Sequence, residues 1–338
     1  MNNGNRQSIH WKHLSILCCG LCSLLFMVTA GCSNANRSGA QSALPEDPLI
    51  RRSLQTLVNG LQDSDPRVQT TSIEVIASTH QIRLMPRIRP LLHDPSVPVR
   101  FAALIAVGDV QYALAKKDVL RIFKETRENE NIRIAAAYAL SKLGQKKYSE
   151  YYFGAINSQN PTVRANAALL MGKSNDKKAL KLLHWALSDM YSDDVVQTQA
   201  VESIAMLGDN EIYQKIWSRL ISAFADDRIA ATKALGALGT RLCQDALLTM
   251  LNDSVVEVRL AAAEQLGKMG DLSGESMLVE VLNGKIEGNA PELVRLRIMA
   301  TMAIAEMKTE TLVRYLPRLQ GDPSPFVRIA ASKAILSE

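Results

Sequence analysis

From residue 68 onward the chain repeats one hydrophobic pattern. An apolar residue is followed by Arg or Gln, and apolar or alanine residues recur four, eight and eleven places after the first, as at Val258, Ala262, Leu266 and Met269. That spacing is one face of a 3.6-residue period, so each copy predicts an α-helix. Seven copies are clear: VRFAALIAVG (99–108), IRIAAAYALSKLG (132–144), VRANAALLMG (163–172), VQTQAVESIAMLG (196–208), DRIAATKALGALG (227–239), VRLAAAEQLGKMG (258–270) and VRIAASKAIL (327–336). VQTTSIEVIAS (68–78) and LRIMATMAIAEMK (296–308) are weaker copies. The Arg or Gln falls at Gln69, Arg100, Arg133, Arg164, Gln197, Arg228, Arg259, Arg297 and Arg328, in steps of 31, 33, 31, 33, 31, 31, 38 and 31. The long step holds a Gly-rich insertion around GKIEGNAPE (284–292).

Between copies lies a second amphipathic segment, such as DVLRIFKET (118–126), KALKLLHWAL (178–187) or DALLTMLND (245–253). The unit is therefore helix–turn–helix, and no β-branched alternation long enough for a sheet interrupts it. Asp94, Asn129, Asn160, Asp253 and Asp322 precede the second helix, where a short polar side chain caps free N–H groups. Pro66, Pro95, Pro161 and Pro323 stand at the same starts, and Gly144, Gly208, Gly239 and Gly270 mark the ends. Small residues dominate the copies because neighbouring helices must approach closely.

The form D-x-x-x-x-V-R-x-x-A-A-x-A-L-G-x-L-G, as in DSVVEVRLAAAEQLGKMG (253–270) and DPSPFVRIAASKAI (322–335), resembles HEAT repeats of the short, phycobilisome-lyase-like bacterial type. The resemblance runs from about residue 48 to 338 and implies an all-α, right-handed α–α superhelix (a HEAT/armadillo-like solenoid) of about nine helical hairpins. At helix spacings of 8–10 Å, such an array would form a curved rod roughly 80 Å long. The resemblance also implies that Asp94 with Arg100, Asp253 with Arg259 and Asp322 with Arg328 belong to a ladder tying adjacent repeats together, not to catalytic pairs.

The first residues read as an address. Arg6 and Lys12 precede an apolar stretch, Leu14 to Thr29, that ends in Ala30-Gly31-Cys32. A basic start, a short apolar core and small residues before a cut site describe a secretory signal peptide. TAGC (29–32) resembles a bacterial lipobox, although Thr29 stands where Leu is commoner. It implies a signal peptide over 1–31, lipidation of Cys32, a polar linker over 32–46 and the solenoid over 47–338. Ser33 resembles the class sorted to the outer membrane, so the expected place is the bacterial cell envelope, on the periplasmic face of the outer membrane in a diderm. Ordinary cleavage and an uncleaved anchor are the alternatives. The other cysteines agree: Cys18, Cys19 and Cys22 lie in the leader, which leaves Cys243 alone in an apolar helical pattern, a buried thiol with no disulfide partner.

Composition narrows the function. Lys plus Arg number 39 against 34 Asp plus Glu, and loss of the leader leaves a charge of about +3, too even for a protein that lives on nucleic acid. His80, His93 and His184 fall in different repeats, without HExxH, a Cys/His cluster or the His-Glu dipeptides of iron-holding HEAT hydroxylases. GxxxxGK[ST], GxGxxG and GxSxG are absent. No metal, cofactor or catalytic residue is expected, and the expected role is a non-catalytic protein-binding scaffold or adaptor.

Two surfaces are candidates for the partner. On the concave face, Ile105, Tyr138 and Leu169 are apolar at successive repeats and flanked by Lys142, Asn166 and Lys173, which suits an extended protein segment. The alternative is that curvature buries them. Secondly, Lys116-Lys117, Lys146-Lys147 and Lys177-Lys178 recur in three successive repeats and would form a basic edge toward anionic headgroups or an acidic partner, the alternative being a merely solvated edge. A membrane- or polyanion-binding module built on that edge, or a lyase- or chaperone-like activity on a partner protein, are the competing functions. At the C-terminus, where the chain stops inside its last helix, Ile329 and Leu336 are expected to stand open for an end-on contact, with simple fraying of that end as the alternative.

Overall fold

The computed structural model describes residues 47–337, so the leader, Cys32 and the linker to residue 46 lie outside the described residues. Every regular element among them is helical. The copies bearing Arg or Gln form nine inner helices: Pro66–Ser78, Val97–Asp109, Glu130–Lys142, Pro161–Ser174, Asp194–Met206, Ala225–Leu238, Val256–Lys268, Ala290–Met307 and Pro325–Leu336. Each is preceded by an outer segment. Those of repeats 1 and 7 are continuous helices, Pro48–Gly60 and Arg241–Met250. In repeat 2 the outer segment breaks into short α and 3-10 turns over Ile82–His93, and in repeat 9 into two short α-helices, Glu310–Val313 and Leu316–Leu319. Prolines 86, 90 and 317 stand in those two segments, where each removes an N–H donor.

Alanine and glycine set the spacing of the inner layer. Eight places after the conserved Arg, glycine occurs at 108, 172, 236 and 267. A Cβ built at Gly108 would lie 3.1 Å from the Ala139 Cα, and one at Gly172 would lie 2.8–2.9 Å from Ser203. Consecutive inner helices therefore touch backbone to backbone at this position, and nothing larger than hydrogen fits without movement.

The array does not end as a rod: it closes on itself. The first outer helix packs against the last inner helix, which also meets the inner helix of repeat 1. Ile329 and Leu336, expected to stand open, are 1% and 8% exposed and belong to the same apolar cluster as Leu54, Leu57 and Ile73. The Ile329 Cδ1 lies 3.6 Å from a Cβ built on Gly60, and the Arg67 guanidinium sits 6.0 Å from the Phe326 ring. Polar groups complete the seam. The Gln320 amide donates to Ser53 Oγ at 3.0 Å and Ser332 Oγ at 2.8 Å, while Thr56 Oγ1 donates to Gln320 Oε1 at 3.3 Å. Nine repeats close when each turns about 40° relative to the last, a rotation that accumulates repeat by repeat.

The ring has two rims. At the hairpin rim each outer segment turns into its inner helix; at the return rim each inner helix hands over to the next outer segment. Residue 47 lies at the return rim, because the first outer helix runs antiparallel to Pro66–Ser78 and begins beside its end. Return turns pass through a left-handed residue, glycine at 144, 208, 239 and 270, as expected, but His80, Gln111, Asn175 and Lys308 in the other four. Asn129 and Asn160 are N-caps as expected, whereas Asp94, Asp253 and Asp322 sit two residues earlier and bind the N–H of Ser96, Val255 and Ser324. Only part of the 284–292 insertion is loop. The rest lengthens the inner helix of repeat 8 to 18 residues, started by a capping box between Asn289 and Glu292.

Candidate functional site

The inner helices converge on a hub of alternating charge. The Lys173 ammonium lies 2.9 Å from Asp109 Oδ2, joining repeats 4 and 2 across the intervening helix. Tyr138 Oη donates to the other oxygen, Asp109 Oδ1, at 2.6 Å. Lys268 pairs with Glu264 at 3.3 Å and Lys333 with Glu306 at 2.9 Å. Burial pushes the Glu74 carboxyl up to about 8, against the pull of Lys173. Burial likewise raises Glu202, opposed first by Lys233. At Glu264 the balance reverses: burial pushes upward, but Lys268, Lys333 and Lys233 together hold the carboxyl below its ordinary range.

This hub corrects the expected open groove. Tyr138 is 1% exposed and Asn166 7%, with Asn166 Nδ2 donating to Asn131 Oδ1 at 2.8 Å. Lys173 is paired with Asp109, and Ile105, Lys142 and Leu169 are half-buried. The six residues do share the inner wall, as their period required. Packing between neighbouring repeats buries Tyr138 against Gly108, Asp109 and Tyr152 and Asn166 against Asn131, so the alternative of burial by curvature holds for them.

The repeated Arg and Asp serve the scaffold in a form the sequence did not specify. Arg100, Arg164, Arg228, Arg259 and Arg328 each donate to the backbone carbonyl six residues upstream. The carboxylate that each guanidinium meets comes from the following repeat: Arg228 grips both oxygens of Asp253 at 2.7 and 2.9 Å, and Arg297 reaches Asp322 at 3.1 Å. The hydrogen bond from Arg228 holds Asp253 below the ordinary carboxylate range. His184 also joins neighbours, with Nε2 2.8 Å from Asp209 Oδ2, and Cys243 is fully buried. Among the described residues, no three His, Cys, Asp or Glu converge as metal ligands would, and no helix is long and apolar enough to cross a membrane.

Accessible candidates lie on the rims. Lys117, Lys146, Lys147, Lys177 and Lys178 are exposed and Lys116 is half-buried, all on the return rim of repeats 3–5. A second feature, on the opposite rim, escaped the reading of the sequence. Seven places before the repeated Arg or Gln stand Gln62, His93, Thr126, Asn157, Met190, Ile221, Asn252, Ala290 and Gly321. All are exposed, and only Met190 and Ile221 are large and apolar, at 85% and 74% exposure. Tyr191 and Phe224 adjoin them, and Trp185 and Trp217 project from the outer helices of the same two repeats. Aligning the hairpin turns by register would have revealed this departure.

Two overlapping stretches, residues 154–223 and 213–287, match the family model described as HEAT repeats. No curated protein matches the sequence. Among solved structures, the complex of CpcE and CpcF of phycocyanin lyase from Nostoc is 17% identical, with a TM-score of 0.43 over 75% of this chain and 94% of that one. Human deoxyhypusine hydroxylase in complex with glycerol is also 17% identical, with a TM-score of 0.36 over 77% of this chain and 97% of that one. The fold is thus an all-helical, HEAT-like solenoid, with HEAT repeats matched directly from the outer helix of repeat 4 to the hairpin turn of repeat 8.

Proposed function

We propose that this protein is a non-catalytic scaffold, tethered through lipid on Cys32 to the bacterial envelope, that binds a protein partner on the hairpin rim of repeats 5 and 6. The apolar group of Trp185, Met190, Tyr191, Trp217, Ile221 and Phe224 carries the reading. Two adjacent repeats abandon the small or polar residues that the other turns use, and they place aromatic side chains in water. Isolated exposed apolar residues are ordinary, whereas a clustered aromatic patch rimmed by polar residues marks an interaction surface. Trp, Tyr and Met are also the types enriched at the centres of protein interfaces. The lipid tether is supported by TAGC (29–32) behind a basic, apolar leader.

The test is photo-crosslinking in the native envelope from a probe at Phe224, with a probe at Asn252 of the next repeat as control. A discrete adduct formed only from position 224, and lost with Met190→Ser plus Ile221→Ser, is the expected result. Equal labelling from both positions would overturn the reading. Metabolic labelling with an alkyne fatty acid tests the tether, which requires incorporation that Cys32→Ala abolishes.

A further inference from the structure

The return rim carries a second pattern that the partner-binding patch does not use. Counted around the ring, it presents Ile82 and Arg83 in repeat 2, Leu114, Lys116 and Lys117 in repeat 3, Lys146 and Lys147 in repeat 4, and Lys177 and Lys178 in repeat 5. After Asn210 and Glu211 it continues with Arg241 and Leu242 in repeat 7 and Leu272 in repeat 8. Ile82, Leu114, Leu242 and Leu272 are 54%, 70%, 55% and 47% exposed. Each stands two or three places after the left-handed residue of its turn, so all four occupy one level of the ring. A basic arc is thus flanked on both sides by apolar side chains that stand in water. Long basic side chains beside shallow apolar ones suit a surface that is anionic at its face and apolar just beneath.

The chain outside the described residues joins the ring at this same rim. Asp47, which caps the first outer helix, stands at this rim, fourteen positions after Ser33. An anchor at Cys32 would therefore hold the return rim, rather than the aromatic patch, nearest the bilayer.

From these observations we infer that the return rim is a membrane-facing surface, with Lys117, Lys146, Lys147, Lys177 and Lys178 on anionic phospholipid headgroups and Ile82, Leu114, Leu242 and Leu272 at the acyl boundary. The ring then lies flat on the bilayer and presents Met190, Ile221 and Phe224 away from it. The inference rests on the envelope location proposed above, but the surface can be tested without the lipid.

The experiment uses the mature chain from residue 32 with Cys32→Ala, floated with vesicles of phosphatidylethanolamine with or without phosphatidylglycerol. Binding is expected only with phosphatidylglycerol and should weaken as salt rises. Each lysine near such a surface contributes about fivefold to partitioning. The quadruple variant Lys146→Glu, Lys147→Glu, Lys177→Glu, Lys178→Glu should therefore bind more than tenfold less, and Leu114→Ser with Leu242→Ser should bind severalfold less. Arg127→Glu with Lys285→Glu, on the hairpin rim, should leave binding unchanged. All these positions are exposed, and an unchanged helical melt confirms that each variant is folded. Absence of binding to anionic vesicles, an equal loss in the hairpin-rim variant, or full retention in the lysine variant would overturn the inference. So would soluble polyphosphate that displaces the chain while the leucine variant binds as well as wild type, since that describes a polyanion site. Partner capture at Phe224 and labelling of Cys32 are read separately, so their failure cannot be confused with failure of the rim.

Discussion

Gln320 and Ser53 are separated by 267 positions in sequence and 3.0 Å in space, and only a closed ring brings them together. Both are buried, Gln320 at 3% exposure and Ser53 at 0%. Gln320→Ala removes the bonds to Ser53 and Ser332 and the one accepted from Thr56, and it empties a buried side-chain volume. The two hydroxyls keep their own donor bonds, Ser53 to the Leu49 carbonyl and Ser332 to the Arg328 carbonyl. The cost is therefore that of lost net hydrogen bonds plus a cavity, about 2–3 kcal/mol. Ser53→Ala leaves one Gln320 N–H without that acceptor and should cost about 1 kcal/mol. The double variant isolates the seam. Because the two residues share one buried bond, urea unfolding of all four chains should yield a coupling energy of about 1 kcal/mol. In an open array these groups sit on opposite ends and their effects add. Coupling indistinguishable from the additivity error, about 0.3 kcal/mol, would refute the closed seam.

Two further outcomes follow from the inner layer. Gly172→Ala puts a methyl 2.8–2.9 Å from the Cα, Cβ and Oγ of Ser203, where backbone must move, and should destabilise by about 1–3 kcal/mol in urea. Gly144→Ala, whose Cβ meets nothing within 4 Å, isolates the cost of left-handed backbone at about 1–2 kcal/mol, so equal losses at both sites that vanish in Gly172→Ser would contradict the packing argument. At the hub, the Glu74 carboxyl is raised in the folded state to about 8. A raised carboxyl binds its proton more tightly folded than unfolded, so its contribution is fully present below the unfolded value near 4.5 and is lost as pH rises through about 8. Urea midpoints should therefore fall between about pH 5 and pH 8, and Glu74→Gln should flatten that fall. An identical slope in the variant would show that Glu74 is not the group responsible.

The repeat, its helical hairpin and its register were legible because they rest on local rules: a 3.6-residue period, polar caps and left-handed glycines. Gly144, Gly208, Gly239 and Gly270 take positive φ as the pattern required. Closure was not legible. It depends on a rotation per repeat that no single copy encodes, and on contacts such as Gln320 with Ser53 whose partners share no motif. The candidate groove failed for a different reason, the close packing of neighbouring repeats around Tyr138 and Asn166. The period correctly put Tyr138 in line with Ile105 and Leu169, but whether that line faces water or a Lys173–Asp109 pair depends on how tightly three consecutive inner helices curve together, which a periodicity does not give. The rim features were local and could be read from sequence. Lysines 116–178 stood out because charge repeats are conspicuous, whereas Met190 and Ile221 emerge only when each turn is compared with its equivalents.

Closure is measured most directly as a distance between the ends of the array. In the mature chain with Cys32→Ala, Arg67→Cys and Pro323→Cys place exposed labels in the first and last repeats, and Cys243 is too buried to compete. Arg67 lies 6.0 Å from the Phe326 ring, three residues beyond Pro323, so double electron–electron resonance should give one narrow distribution below about 25 Å. A rod of nine open repeats would separate the same labels by roughly 60–80 Å, and a distribution centred there would contradict the ring.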